Sequence, residues 1–163
     1  SRMAGGMFLN NQLTDFARQP RDEEGNLVAN HPEPGKRPRS SMSPTIALDA
    51  NGAFYLATGS PGGNSIIAYT LKTLVAVLDW GLTPEQAVAL PNVVARGTNV
   101  RIETDRSEPG FIDSMKAFGF EVKESAGENS GVSLVLATSN GLQGAADPRR
   151  EGTVAIVSPS AAK

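Results

Sequence analysis

Residues 45–78 constrain the fold more than any other stretch, because they spell a hairpin, a bare-glycine corner and an apolar helix without interruption. Thr45–Leu48 and Ala53–Thr58 are β-rich runs, and the Asn51-Gly52 pair between them predicts a tight hairpin turn. Ile66, Ile67, Leu71, Leu74, Val75 and Leu78 then recur at helical spacing with few charges, which predicts a helix buried on most of its surface and ended by Gly81. Small residues stand at both ends of the hairpin. Ser40, Ser41 and Ser43 precede it, and Ser60, Pro61, Gly62 and Gly63 follow it.

Around this centre the chain alternates short strands and helices. Met7–Leu9 reads as a short buried strand. Residues 17–39 turn charged and rich in proline and glycine, which forbids regular structure and predicts a surface or lid-like loop. Thr83-Pro84-Glu85-Gln86 carries an N-cap, a proline at the first helical position and a glutamine at the third, so a helix is expected to start there and stop at Pro91. Val100–Glu103 alternates as a strand, Ser107-Glu108-Pro109 is expected to open a helix with Phe111, Ile112, Met115 and Phe118 on its apolar side, and Gly119 to cap it. Phe120–Lys123, Val132–Ala137, Leu142–Ala145 and Thr153–Val157 read as further strands, with Asn140-Gly141 as a second hairpin turn. The closing SPSAAK is expected to fray. Hairpins without regular βαβ alternation predict layered α+β architecture, with one domain over residues 1–163.

The formal charge of −2 gives no electrostatic reason to expect nucleic acid as a partner. The absence of cysteine excludes disulfides and thiolate chemistry. His31 is the single histidine and lies in the proline-rich loop, so neither a metal site nor a Ser-His-Asp triad is expected. No phosphate loop or dinucleotide fingerprint occurs, and no cofactor is expected.

Three groups could still carry chemistry. Gly62-Gly63 sits between a strand and a helix, where unpaired amides at a helix N-terminus could form an oxyanion hole; equally, a sharp turn could need glycine for its dihedrals. Ser40 and Ser41 could donate to a carboxylate, or cap a turn ahead of Ser43-Pro44. Gln12 and Asp15 could receive an ammonium group, or belong to an Asx-type turn. Together they are the parts needed to hold an amino acid by its α-groups and polarise an acyl carbonyl. A nucleophile is missing.

In this order LNNQLTDF, PGKRPRSSMSPT, TGSPGG before an apolar helix, GLTPEQAVALP and ADPRREG resemble the γ-glutamyltranspeptidases, over nearly the whole chain. The resemblance implies an N-terminal-nucleophile hydrolase with an αββα sandwich, of which this chain would be part of the small subunit. It implies a precursor that cleaves itself into large and small subunits, the new N-terminal Thr of the small subunit then attacking γ-glutamyl amides such as glutathione. The acyl group would pass to water or to an amino acid or peptide acceptor. Residue by residue, Gln12 and Asp15 match the positions that hold the α-amino group, Ser40 and Ser41 those that bind the α-carboxylate, and Gly62 and Gly63 the oxyanion hole. Family members are commonly periplasmic or extracellular.

The chain also departs from the family. The nucleophilic Thr of the family lies well before the LNNQ motif, which here begins at Leu9, so neither Ser1 nor Thr14 is expected to replace it. The chain is therefore expected to be the later part of a small subunit, inactive alone, with the large subunit as partner and self-association where that subunit is missing. The 17–39 loop has no Tyr, Phe or Trp to serve as a gate, and Gln12 and Thr14 stand where other members carry different polar residues. A related acylase with another amide substrate, or a non-catalytic domain of the same fold, are the alternatives.

Overall fold

The computed structural model describes residues 3–157. Packing divides the chain into two compact units, residues 1–40 and 41–163, where the sequence reading takes one domain. Each unit is described by itself.

In the first unit, β1 (Met3–Ala4) pairs antiparallel with β2 (Met7–Phe8) through Gly5-Gly6. The expected strand at Met7–Leu9 is present but not buried: Met7 and Phe8 are 71% and 75% exposed, because two paired strands alone offer no second layer to bury against. A 3-10 turn over Gln12–Asp15 follows. Residues 17–39 then form no helix or strand, only turns and one isolated bridge, Arg21 to Leu27. Side chains order this loop in place of a ladder: Asp22 Oδ1 accepts from Asn26 N at 2.7 Å, and Arg21 donates to the Gly25 carbonyl at 2.6 Å.

The second unit is built on β3 (Thr45–Leu48), β4 (Phe54–Gly59), β8 (Ser133–Thr138) and β9 (Gly141–Ala146), paired antiparallel in the order β3-β4-β8-β9. Asp49 closes the β3–β4 turn by accepting from the amides of Asn51 and Ala53, with Gly52 at φ +82°. Thr138 and Gly141 form the second expected hairpin, β8 to β9. One sheet face carries Leu56, Leu134 and Leu136, and α1 (Ile66–Leu78) shares their buried core.

That helix is buried over most of its surface, as expected, although the inward face is not the one its apolar count picks out. Ile66, Tyr69, Thr70, Thr73, Ala76 and Val77 face inward, while Ile67, Leu71 and Leu78 are at least 50% exposed. Threonine is tolerated inside because Thr73 donates its hydroxyl to the Tyr69 carbonyl at 3.0 Å, which satisfies it locally. α2 (Pro84–Ala89) has the full capping box: Gln86 N donates to Thr83 Oγ1, and Thr83 N donates to Gln86 Oε1.

β5 (Val93–Arg96), which the sequence reading passed over, forms a hairpin with β6 (Asn99–Glu103). β7 (Glu121–Ser125) then joins β6 in parallel, after α3 (Phe111–Ala117) crosses between them. One βαβ unit is thus present where only hairpins were expected. α3 begins later than Ser107, because Ser107 turns its hydroxyl back to the Glu103 carbonyl and Gly110 sits at φ +82° before the first helical turn. No residue of α3 is fully buried: Phe111, Ile112 and Met115 are half-buried and Phe118 is 80% exposed, so the described residues cover its apolar side only in part.

Thr153–Val157 does not form the expected strand. Val154 lies over Gly144 of β9 instead of pairing along an edge. The expected fraying of SPSAAK falls on residues 158–163, outside the described residues.

Candidate active site

The glycine corner is shaped by its surroundings as well as by its dihedrals. After β4 the chain runs through Ser60 and Pro61 into a 3-10 turn, Gly63–Ser65, that continues into α1. Gly62 sits at φ +137° and Gly63 at φ +55°, both in the half of dihedral space that side chains oppose. A Cβ on Gly62 would overlap the Tyr69 ring, whereas one on Gly63 would meet nothing within 4 Å. Gly62 is therefore held against the core, and Gly63 faces open space.

Neither glycine amide has an acceptor among the described residues, as expected for the first donors of a helical start. Two such donors at the positive end of a helix can receive a developing negative charge on oxygen.

Polar contacts fix the corner from behind. Gly131 N donates to Ser60 Oγ at 3.1 Å, and Ser60 donates to the Pro61 carbonyl at 2.7 Å. Arg150 closes over Gly131 and donates to the carbonyls of Ser130 and Asn129 at 3.0 and 2.9 Å. The sequence reading missed residues 129–131; a glycine beside two short polar residues gives no periodic signal.

Ser41 belongs to the same corner. Its hydroxyl donates to Asn64 Oδ1 at 3.5 Å, one residue past Gly63, and Ser43 donates to Thr70 of α1 at 3.4 Å. The structure thus brings Ser41, Gly62 and Gly63 together.

Gln12, Asp15 and Ser40 belong to the first unit. Gln12 and Asp15 share one 3-10 turn at positions i and i+3, which stack on one side. Asn30 of the long loop links this turn to the segment before Ser40. Its Nδ2 donates to the Asp15 carbonyl at 2.6 Å, while its Oδ1 accepts from Arg39 N at 3.0 Å. The turn that carries Gln12 and Asp15 and the backbone just before Ser40 are therefore tied through a single amide side chain, which the sequence reading did not single out.

Below the corner lies a buried ionic cluster, also missed. Glu103, 1% exposed, accepts from Arg149 Nε at 2.7 Å and from Asn92 N at 2.9 Å. Asp147 accepts from Arg149 at 3.0 Å, from Ser130 Oγ at 2.6 Å and from Val132 N at 3.2 Å. Burial alone would raise the Asp147 carboxyl, but these hydrogen bonds outweigh it and hold it below its ordinary value. Arg149 also donates to the carbonyls of Val88 and Leu90, so ADPRREG ties α2 and β6 to the end of β9. Lys72 of α1 is pushed down to about 8, first by burial and then by the charge of Arg149, and donates to the Leu90 carbonyl.

The chain resembles known proteins in both sequence and fold. The family description that matches, over residues 2–157, is gamma-glutamyltranspeptidase. The glutathione hydrolase proenzyme of Escherichia coli K12 is 35% identical over 149 residues, covering 88% of this chain and 26% of the relative. That of Bacillus subtilis 168 is 32% identical, covering 90% of this chain and 24% of the relative. Among solved structures, gamma-glutamyltranspeptidase from Pseudomonas nitroreducens complexed with L-DON superposes with TM-score 0.78 at 29% identity, over 94% of this chain and 83% of that one. The T380A mutant of the Helicobacter pylori enzyme gives TM-score 0.74 at 32% identity, over 92% and 85%. The chain spans about a quarter of the length of the curated relatives it matches.

Proposed function

This chain belongs to the gamma-glutamyltranspeptidase family, with the α+β N-terminal-nucleophile hydrolase fold of its solved members, and from that premise we propose that the whole protein cleaves γ-glutamyl amides. The released γ-glutamyl group passes to water or to an amino acid or peptide. The observation that carries this reading is the pair of unpaired amides at Gly62 and Gly63, with the Ser41 hydroxyl beside them.

In the proposed reaction, Ser40 and Ser41 donate hydrogen bonds to the α-carboxylate of the glutamyl group. On the resemblance, Gln12 and Asp15 are the acceptors for its ammonium. The amides of Gly62 and Gly63 then stabilise the oxyanion formed when a hydroxyl attacks that carbon. The resemblance assigns the attacking Thr to a part of the protein other than residues 1–163. The same part supplies the layers that cover this chain. Ile46 and Leu142 lie 71% and 69% exposed on the open sheet face, and Ile67 and Leu71 are each 57% exposed on the outer face of α1. A large subunit and the remainder of an αββα sandwich fit those faces; without them the chain self-associates.

Asp15→Ala in the complete protein is expected to raise KM for γ-glutamyl-p-nitroanilide by about 10- to 100-fold, the loss of one charge-assisted hydrogen bond. Asn30→Ala is expected to raise it by a smaller factor, because it loosens the turn without removing a ligand. An unchanged KM in Asp15→Ala would refute the ammonium site.

A further inference from the structure

We propose that Glu128 and Tyr69 are positioning residues that aim the Gly62 and Gly63 amides, through a closed ring of contacts reaching from the glycine corner to β6. The proposal rests on the reading of those amides as the oxyanion hole.

The ring starts at Gly62, whose Cα lies so close to Tyr69 that a Cβ would sit 3.0 Å from Cδ2 and closer still to Cε2. Tyr69 is 1% exposed on the first turn of α1, and its hydroxyl donates to Glu128 Oε2. Arg101 of β6 holds that carboxylate with two donors, Nε to Oε1 and Nη2 to Oε2. The same Nη2 donates to Ser65 Oγ at 2.9 Å, and Ser65 N donates to the Gly62 carbonyl at 3.1 Å. Both sides of the Gly62 peptide are therefore fixed by one ion pair: its Cα through Tyr69 and its carbonyl through Ser65.

This arrangement exceeds what packing alone requires. A phenylalanine would fill the space under Gly62, yet the hydroxyl is directed at a carboxylate whose own side chain is 4% exposed. Four separate segments converge on the pair: the 3-10 turn, α1, β6 and the loop between β7 and β8. A corner with two positive-φ glycines has unusual freedom, so an amide pair aimed there needs external constraint. Burial would raise the Glu128 carboxyl, but Arg101 and Tyr69 outweigh it and keep the group ionised. A small rotation of the Gly62 peptide moves the donor off the oxyanion, where interaction strength depends steeply on geometry.

The test uses Tyr69→Phe and Glu128→Gln in the complete protein, assayed with γ-glutamyl-p-nitroanilide. Each is expected to lower kcat by about 10-fold or more with KM within about twofold, the signature of an interaction made in the transition state. Each is also expected to weaken a γ-boronic acid analogue of glutamate, which mimics the tetrahedral state, more than it weakens glutamate. Tyr69→Phe removes one hydroxyl from a filled site and decides the matter alone if Glu128→Gln does not fold. Full kcat in folded Tyr69→Phe, or equal weakening of boronate and glutamate, would overturn the proposal. Failure of the unsubstituted protein to turn over the anilide would instead overturn the functional reading beneath it.

Discussion

Gly62→Ala is expected to lower kcat for γ-glutamyl-p-nitroanilide by about 100- to 1,000-fold in the complete protein, the range seen when one oxyanion donor is lost. Two independent obstacles produce this effect. At φ +137° an alanine is strained whatever space it has, and here its methyl would also overlap the Tyr69 ring. Tyr69 cannot withdraw without breaking its bond to Glu128, so the backbone must move and carry the amides with it. Gly63→Ala is the internal control. Its φ of +55° lies in the left-handed region and its methyl would meet open space, so its cost is about 1 kcal/mol of backbone strain. Steady-state kinetics on the two variants, with circular dichroism to confirm folding, separates a displaced amide from a merely strained one.

Arg149→Ala is expected to be the most destabilising single change, by about 3–5 kcal/mol, because it strands buried carboxylates. Glu103 and Asp147 are 1% and 2% exposed, and Arg149 is the cation that bonds to both. The arginine also takes the carbonyls of Val88 and Leu90, so its loss leaves four acceptors short of a donor. Thermal melts of the complete protein give the check. The pH dependence follows with a definite sign. Asp147 and Glu128 are held below their ordinary values, so the stability they confer is fully present above their unfolded pKa of about 4. It is lost as pH falls through the lower folded values, and Arg149→Ala is expected to flatten the Asp147 part of that decline.

The elements legible in the sequence were those whose signals are local. The capping box at Thr83, the Asn51-Gly52 and Asn140-Gly141 turns and the proline-rich loop each act over a few residues, and each appears at its expected place. The α1 orientation was harder. Its buried face is set by the sheet beneath, which selects Tyr69, Thr70 and Thr73 over the more apolar Ile67 and Leu71. The strand expected at Thr153–Val157 failed for a similar reason: an apolar run pairs only where an edge accepts it.

The candidate site divides along the same line. Gly62, Gly63 and Ser41 carry motif residues next to one another in space, so the resemblance reaches them directly. Their supports, Glu128, Arg101, Gly131 and Arg150, converge from segments far apart in the chain. Charged residues scattered in this way look like solvated surface in a single sequence. Only the fold shows that Glu103 and Asp147 are buried and share one arginine.

The central proposal is that the complete protein takes a γ-glutamyl group and reads both its α-amino and its α-carboxylate groups. It is tested most directly by comparing γ-glutamyl-p-nitroanilide with glutaryl-p-nitroanilide, which lacks only the amino group, on the complete protein. Acceptors built to hold an ammonium are left unpaired by the second substrate, so kcat/KM is predicted to fall by at least about 100-fold. Equal kcat/KM for the two anilides would contradict the claim and point to an acylase that does not read the α-amino group.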